Sequence, residues 1–467
     1  MTAFTRYLAL CILTLVFASA AFGQQSGSKS NKEEDPFKED PLFSRSLSDL
    51  LRLPSDSSEG DRHYFGDLYQ YGLDYEATLE AGPYSSNALY GTYPTMPMLH
   101  YNRVDGLFLG LRKERMQWYH DDWLLGIPNM NVHGMLGYAF ALADWQYSIG
   151  LERFLGDRRH VLIGGEYHSG TTTDDYWRVG LNETSFTSFF GGYDYHDYYK
   201  QQGWGAWTLL RSTRLFEGGL AYNSDRYSSL ERQTGWALFG AGGRYRPNPP
   251  VEYVNGLAVE QVDISALTAS VSFNPKRLVL EPRFTFSAAL EAEFADPGLG
   301  RSDYSYERYQ AELLTFYNFE RGGMFKHRLR IGSITGEVPF MKSFQLGGIG
   351  SLRAIPYKSL NGGMPGNQMI LSTTEVHFGS PDFGNRDWID FDELYLSLFL
   401  DSGWTSYSSE LEEGTDPFAG FSDFRFGDLY HNAGVGLGSS LVRCELAWDL
   451  ENTSRAPVFW VRFNPTF

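Results

Sequence analysis

Cysteine is almost absent from this chain of 467 residues, which contains only Cys11 and Cys444. Cys11 lies in an amino-terminal apolar run that we interpret below as a cleaved signal, so one thiol is expected in the mature chain. A single thiol cannot form an internal disulfide. The sequence therefore excludes the class of small secreted domains that depend on several disulfides.

Basic residues are too few to balance the acidic ones. The formal net charge is −18 at pH 7, from 39 Lys and Arg against 57 Asp and Glu. A protein with this charge repels the phosphate backbone of DNA and RNA. We therefore expect no nucleic-acid partner.

Long apolar runs are missing as well. The one candidate, residues 7–17, is shorter than the about 20 residues of a membrane-spanning helix. Arg6 precedes this run, and the small residues Ala21 and Gly23 follow it with one residue between them. This order is typical of a secretory signal. We predict a signal peptide at residues 1–23, and an uncleaved membrane anchor is the alternative.

Residues 24–60 contain few large apolar side chains and many Ser, Lys, Glu, Asp and Pro residues, which predicts a flexible periplasmic arm. Within it, four apolar residues have helical spacing and Pro54 follows them, so a short amphipathic helix is expected. The four are Phe43, Leu47, Leu50 and Leu51. The helix either caps the periplasmic mouth of a barrel or docks a partner, and the pattern leaves both roles open.

The rest of the chain, residues 61–467, is rich in aromatic residues and glycine and contains many short alternating segments. The strand-like runs are sixteen: residues 101–113, 131–141, 144–153, 158–168, 203–213, 215–224, 234–246, 256–273, 279–294, 304–319, 324–335, 367–379, 393–404, 429–439, 441–450 and 457–467. An even number suits a closed antiparallel barrel, and closure leaves no unpaired strand edge in lipid. The predicted fold is all-β, a sixteen-stranded antiparallel transmembrane barrel in a bacterial outer membrane.

The run at residues 393–404 shows the clearest alternation. Its apolar face carries Leu394, Leu396, Leu398 and Leu400. Side chains alternate with a period of two along a strand, so one face meets lipid and the other the lumen. A soluble β-sandwich or propeller also alternates, and this pattern alone does not exclude it.

The carboxyl terminus favours the barrel. In the final stretch, PVFWVRFNPTF, Phe463 and Phe467 lie on the same face and Phe467 is the last residue. A terminal aromatic residue on an alternating last strand resembles the recognition signal of bacterial outer-membrane barrels. We therefore interpret Phe463 and Phe467 as this carboxyl-terminal signal.

Two segments do not follow the simple barrel pattern. Residues 101–113 do not alternate cleanly, which leaves the facing of the first run open. Residues 169–202 are too long for a periplasmic turn. For these we predict an ordered insert near a barrel mouth, with a short helix that starts at Asp174.

The most distinctive stretch, residues 347–378, begins with GGIGSLRAIPYK. Gly347, Gly348 and Gly350 allow the backbone to turn tightly or to approach another segment closely. A phosphate-binding loop would need a helix after these glycines, but the pattern that follows is that of a strand. Arg353 is therefore expected near the tip of a loop between two strands.

Two acidic residues are predicted to face the lumen near this loop. Alternation puts Asp401 opposite the leucines of its run and puts Glu375 on the inner face of the preceding run. A loop arginine that enters the lumen would meet both, and its planar guanidinium can serve two carboxylates. Spacing alone leaves open that these are unrelated lumen charges.

The segments LRAIPY, at residues 352–357, and FLDSGW, at residues 399–404, together resemble the paired motifs of the outer-membrane assembly and translocation barrels. That superfamily includes the BAM-complex barrel, its TAM relative and the two-partner secretion transporters. In it, the arginine of a Leu/Val-Arg-Gly-Tyr/Phe turn folds inward with the sixth extracellular loop. The resemblance implies such an inward-folded sixth loop here.

The resemblance also implies roles for individual residues. Arg353 is the loop arginine, Asp401 and Gly403 belong to the second motif, and Glu375 is the other acid. The chain departs from the family pattern at the tip, where Ala354 replaces the usual glycine. The aromatic residue of the motif, Tyr357, comes two residues late.

The family resemblance implies a function and partners. Members help to insert or translocate outer-membrane components without an energy source or cofactor. The expected partners are the outer-membrane bilayer and unfolded outer-membrane protein clients or periplasmic factors. Members carry periplasmic docking domains longer than the arm at residues 24–60, so a branch without these domains is expected. The alternative is a passive channel or structural barrel without insertase activity.

Catalytic and metal motifs are not evident. Neither a Gly-x-Ser-x-Gly elbow nor a His-Glu-x-x-His helix occurs. Asp194, His196 and Asp197 are close enough to suggest a metal site or a base, but the surrounding tyrosines favour an interfacial or mouth-lining cluster. The acidic residues 387–393 suggest calcium or, more plainly, an acidic periplasmic turn. No catalytic site, metal or cofactor is expected, and a barrel enzyme is the least supported class.

Overall fold

The computed structural model describes residues 98–463, apart from residues 114–122, 125–126, 157–159, 212–214, 241–244, 276–279, 281–282, 320–322, 380–393, 414–415 and 439–441. The described residues all belong to one compact unit, Pro54–Phe467. The predicted signal peptide, the periplasmic arm, the acidic residues 387–393 and Phe467 lie outside the described residues, and their assignments stay predictions.

Sixteen strands form one antiparallel sheet in which each strand pairs with its neighbour along the chain. The strands are β1 Met98–Asn102, β2 Gly106–Lys113, β3 Met130–Ala139, β4 Asp144–Leu155, β5 Val161–Thr172, β6 Tyr199–Arg211, β7 Phe216–Ser229, β8 Gln261–Phe273, β9 Phe284–Ala295, β10 Tyr306–Phe319, β11 Gly323–Gly336, β12 Gln368–Phe378, β13 Tyr395–Ser406, β14 Tyr430–Gly438, β15 Val442–Asp449 and β16 Val458–Phe463. This confirms the predicted all-β, sixteen-stranded barrel fold.

The remaining described elements are short. Helix α1 spans Leu181–Gly191 and helix α2 spans Ser409–Glu413. Two small strand pairs join Trp123–Leu124 to Ile127–Pro128 and Glu252–Val254 to Leu257–Val259, and the 3-10 turns are Pro297–Leu299, Phe340–Lys342, Leu360–Gly363, Ala419–Asp423 and Phe426–Asp428. No helix in the described ranges combines the length and apolar character needed to cross a membrane.

The predicted strand count is right because two errors cancel. The first run, residues 101–113, is a hairpin of two strands in which Asn102 pairs with Gly106. The Asn102 side chain accepts hydrogen bonds from the amides of Val104 and Asp105 at 2.8 and 2.7 Å and so forms the turn. The run predicted at residues 234–246 forms no strand in its described part, residues 234–240 and 245–246.

The extra turn changes the position of the insert at residues 169–202. Its ends belong to β5 and β6, and the connecting part, residues 173–198, lies at the same end of the sheet as the loop that carries Arg353. Its helix, α1, begins at Leu181 rather than at the predicted Asp174. The alternation pattern does not locate this helix, because its apolar and polar residues do not segregate onto two faces.

Burial separates the two faces of the wall as predicted. On β13, Leu396, Leu398 and Leu400 are exposed, whereas Ser397 and Asp401 are fully buried. Exposed apolar side chains on the outer face suit contact with lipid. The buried polar side chains of alternate positions therefore face the lumen, as a period of two requires.

We call the segment between β11 and β12, residues 337–367, loop 6, and its tip is buried among inward-facing side chains. Its apolar residues Leu346, Leu352 and Ile355 belong to one buried cluster, together with Met369 and Leu371 of β12. Loop 6 is thus held in the lumen by hydrophobic burial as well as by the polar contacts described next.

Candidate functional site

Glycines shape the tip of loop 6. Gly347, Gly348 and Gly350 have φ angles of 120°, 86° and 76°, which L side chains rarely adopt. A Cβ atom on Gly350 would lie 2.1 Å from the carbonyl oxygen of Arg178. The tip can therefore approach the insert between β5 and β6 only with glycine at this position.

Arg353 points from this tip into a buried group of carboxylates. Its Nε and Nη2 atoms each donate to one oxygen of Asp401, both at 2.8 Å. Its Nη1 atom donates to Oε1 of Glu375 at 2.8 Å. Sequence reasoning proposed this set, and the structure brings all three side chains together.

The structure adds two residues that sequence reasoning missed, Glu445 and Arg443 of β15. Nη1 of Arg353 lies 3.1 Å from Oε1 of Glu445. Arg443 contacts Glu375 at 2.9 Å and Glu445 at 2.6 Å. The alternation of VRCELAWD along β15 already places both side chains on the inner face, and this signal could have identified them.

These five charged side chains are almost completely enclosed. Each has an exposed fraction of 2% or less. The five residues are Arg353, Glu375, Asp401, Arg443 and Glu445, and we call them the lumen charge cluster. Ionised groups in such a place need partners because burial removes their hydration, and here each acid contacts at least one guanidinium.

Neighbouring groups fix the orientation of the arginine. The Phe399 ring lies beneath the guanidinium, with 3.5 Å between Cζ and the ring centroid. Trp460 of β16 donates its indole N–H to the carbonyl oxygen of Arg353 at 2.9 Å. The amide of Ala354 donates to Asn432 at 3.0 Å. The tip is therefore bound to β12, β13, β14, β15 and β16.

The two other predicted motif residues have different environments. A Cβ atom on Gly403 would lie 3.0 to 3.2 Å from Leu346 and Leu352, so this glycine lets β13 approach loop 6. Tyr357 does not join the lumen charge cluster. Its ring lies 4.2 Å from the Arg246 guanidinium carbon, and burial raises its pKa well above the ordinary value.

A second group of charges joins loop 6 to the other loops at the same end. Lys358 contacts Asp175 at 2.8 Å and Asp197 at 2.7 Å. Asp197 also pairs with Arg103 and Arg246. Burial opposes ionisation of Asp197, but Lys358, Arg246 and Arg103 outweigh it and hold its pKa well below the usual range.

His196, which the sequence places beside Asp194 and Asp197, is a buried side chain that bonds to the backbone of the insert. Its Nε2 lies 2.8 Å from the Val179 carbonyl oxygen, and burial lowers its pKa below the usual value. Because a carbonyl oxygen can only accept, Nε2 of His196 is the donor in this hydrogen bond. Among the described residues, no group of His, Cys, Asp and Glu side chains has an arrangement that could hold a metal ion.

The last described residue of β16, Phe463, packs against α1. The rings of Phe463 and Phe186 have centroids 4.0 Å apart. The amide of Phe463 donates to Glu183 at 3.1 Å. The contact between Phe463 and a helix from a distant loop was not predicted.

A sixteen-stranded antiparallel barrel with apolar residues outside and an anchored loop inside defines an outer-membrane barrel. A family model described as the Omp85 superfamily domain matches residues 150–442. The chain belongs to the Omp85 superfamily, whose members are outer-membrane β-barrel proteins. Among curated proteins, no sequence gives a significant match.

Several solved structures are similar to the chain. BamA from Haemophilus ducreyi lacking POTRA domains 1-3 is 15% identical with a TM-score of 0.47, and the match covers 78% of this chain and 68% of that one. CdiB from Acinetobacter baumannii is 10% identical with a TM-score of 0.38, covering 78% and 58%. CdiB from Escherichia coli is 10% identical with a TM-score of 0.40, covering 79% and 67%.

Proposed function

We propose that this barrel helps to insert or translocate outer-membrane components, acting on unfolded outer-membrane protein clients from the periplasm. Membership of the Omp85 superfamily supports this proposal. The observation that carries it is the anchoring of Arg353 to acids on β12, β13 and β15. This anchor makes loop 6 an internal brace for the carboxyl-terminal part of the wall.

The strand edges at the seam support the same proposal. Within the described residues, β1 pairs with β2 alone and β16 with β15 alone. An edge strand presents unpaired backbone groups that another strand can join. A braced wall beside two edge strands is suited to hold an incoming strand while the rest of the barrel keeps its shape.

The proposed activity needs no chemical step. The energy comes from the client, because a folded barrel satisfies backbone hydrogen bonds that are costly to leave open in lipid. We therefore propose that the protein works without catalysis, cofactor or bound nucleotide, and that loop 6 acts by position alone.

The test is a reconstituted folding assay in lipid vesicles. The purified protein should raise the folding rate of a client barrel severalfold over empty vesicles, measured by heat-modifiable mobility. Arg353→Ala should remove most of this gain. Arg226→Ala is the matched control, because Arg226 pairs with Asp263 at 2.8 Å on a partly exposed surface away from loop 6.

The same assay separates the alternative, a passive channel or structural barrel. If correctly folded wild-type protein leaves the client rate unchanged, the insertase proposal is wrong. Ion conductance of the protein in planar bilayers then distinguishes an open channel from a closed structural barrel.

A further inference from the structure

Helix α1 stands between the two edge strands of the barrel. It belongs to the long connection between β5 and β6, yet it contacts both β1 and β16. In the described part of the chain, no backbone ladder joins β1 to β16. The helix therefore occupies the position where a neighbouring strand would close the sheet.

Side chains of α1 bond to the backbone of both edge strands. Ser185 Oγ accepts a hydrogen bond from the backbone amide of Tyr101 in β1 at 2.6 Å. Glu183 accepts one from the amide of Phe463 in β16 at 3.1 Å. Glu183 also accepts from Nε and Nη2 of Arg462, both at 3.1 Å. One helical turn thus satisfies a backbone donor on each edge.

Aromatic packing fills the space around these hydrogen bonds. On the β16 side, the Phe186 ring lies 4.0 Å from that of Phe463. On the β1 side, Phe189 meets Tyr101 edge to face at 5.5 Å. The Phe186 side chain is also exposed in part.

A segment of the loop between β7 and β8 covers the end of α1. The amides of Leu238 and Phe239 donate to the carbonyls of Phe189 and Phe190 at 2.8 and 2.9 Å. These bonds satisfy two of the carbonyls that a helix leaves open at its carboxyl end. The hydroxyl of Tyr101 donates to the Trp236 carbonyl at 2.8 Å and joins this segment to β1.

Helix α1 depends on its surroundings to stay folded. A helix of eleven residues has little stability of its own and depends on packing. Its N-cap residue, Gly180, provides no side-chain cap. If α1 leaves its place, its hydrogen bonds to β1 and to β16 break together, because both come from the same helical turn.

We propose that α1 is a removable wedge in the seam, which must leave before either edge strand can pair with an incoming strand. This inference rests on the proposed function only for the use of the seam by a client. The movement of α1 as one unit, with release of both edges together, is a property of this chain that can be measured without a client.

Hydrogen–deuterium exchange of the protein in nanodiscs tests the movement. Glu183→Gln removes the charge that holds β16, and the hydrogen bonds of this side chain to described strand residues go to Arg462 and Phe463 of β16. If the wedge moves as a unit, amides at residues 98–102 should exchange about tenfold faster in this variant. The reason is that loss of a hydrogen bond to a charged group changes an opening equilibrium constant by about tenfold or more. Glu312→Gln is the matched control, because Glu312 pairs with Arg328 and Arg330 away from α1. Unchanged exchange at residues 98–102 in Glu183→Gln overturns the inference.

A crosslink between α1 and β16 provides the opposite perturbation. It also tests the inference if the Glu183→Gln protein fails to fold. Phe186→Cys and Phe463→Cys, in a Cys444→Ser background, are joined by a short bismaleimide. The crosslink should slow exchange at residues 98–102 about tenfold relative to the same protein without crosslinker, and each single-cysteine variant should show no change. Equal exchange with and without the crosslink means that α1 is a fixed part of the wall.

The client assay then separates the two proposals. If the double-cysteine protein speeds client folding and the crosslink removes this gain, the wedge controls the seam. If the crosslinked protein remains equally active, the wedge inference is wrong although the proposed function stands. If the protein without crosslinker has no activity, the proposed function is wrong, and the exchange experiments alone decide whether α1 moves.

Discussion

Arg353 and Asp401 form a two-pronged ion pair, in which Nε and Nη2 of the arginine each lie 2.8 Å from a different carboxylate oxygen. The two residues are 48 positions apart in the chain. This geometry uses the planar fork of the guanidinium, which an ammonium group lacks. Loop 6 therefore depends on arginine specifically.

Arg353→Ala should destabilise loop 6 more than the strands. It leaves three buried carboxylates near a single remaining guanidinium, and breaking a buried pair from one side costs on the order of 3 kcal/mol. Arg353→Lys should restore only part of this free energy. Surface proteolysis of residues 340–366 measures the effect, with Arg226→Ala as control. In a cycle with Asp401→Asn, simple addition of the two losses would mean that the pair does not hold the loop.

Glu445→Gln tests the acid that the sequence motif did not identify. Glu445 contacts both Arg353 and Arg443. Loss of its charge should lower the free energy of unfolding by about 2 kcal/mol, as expected for hydrogen bonds to charged groups. The measurement is urea unfolding in detergent micelles. Glu375→Gln should cost more, because Glu375 contacts Arg353, Arg443 and His377. An equal or smaller cost for Glu375→Gln contradicts the arrangement described.

Gly350→Ala tests the close approach of loop 6 to the insert. Gly350 and Gly256 have nearly equal φ angles, 76° and 77°, but only Gly350 has a neighbouring atom where a Cβ would lie. Gly256→Ala should cost about 1 kcal/mol for the left-handed backbone. Gly350→Ala should cost on the order of 3 kcal/mol, because overlap with Arg178 adds to this. Equal unfolding midpoints for the two variants would show that the contact with Arg178 is not required.

His196 should make the stability of the insert depend on pH. Its pKa is lowered from 6.5 by burial, so the unfolded chain takes up a proton more readily than the folded one. The stabilisation is complete above pH 6.5 and is lost as the pH falls from there through the folded-state pKa. Limited proteolysis of residues 173–198 should therefore be faster at pH 5 than at pH 7.5. In His196→Gln this difference should shrink, and an unchanged difference assigns the pH effect to other groups.

Local patterns along the chain predicted much of this protein. The alternation of residues 393–404 determined which side of β13 faces lipid, because side-chain direction depends only on position within a strand. The same rule placed Glu375 and Asp401 inside. Family motifs then assigned Arg353 as their partner, and the structure brings the three together. The sequence alone thus determined the fold class and most of the lumen charge cluster.

The strand predictions were wrong where a single side chain or a distant contact determines the local structure. The turn after Asn102 depends on one amide side chain, and strand patterns do not register it. The run at residues 234–246 was predicted as a strand, but Leu238 and Phe239 bond to Phe189 and Phe190 of α1 in place of a strand neighbour. Tertiary contacts there outweigh the local tendency to form a strand.

Only the tertiary structure decided where the loops go. Glu183 meets Arg462 across 279 positions of the chain, and Lys358 meets Asp175 across 183. No local period encodes such contacts, because they depend on which ends of the barrel the connections share and on what space the lumen leaves. Strand direction and facing follow from neighbouring residues, whereas the brace in the lumen and the helix in the seam follow from contacts between segments far apart in the chain.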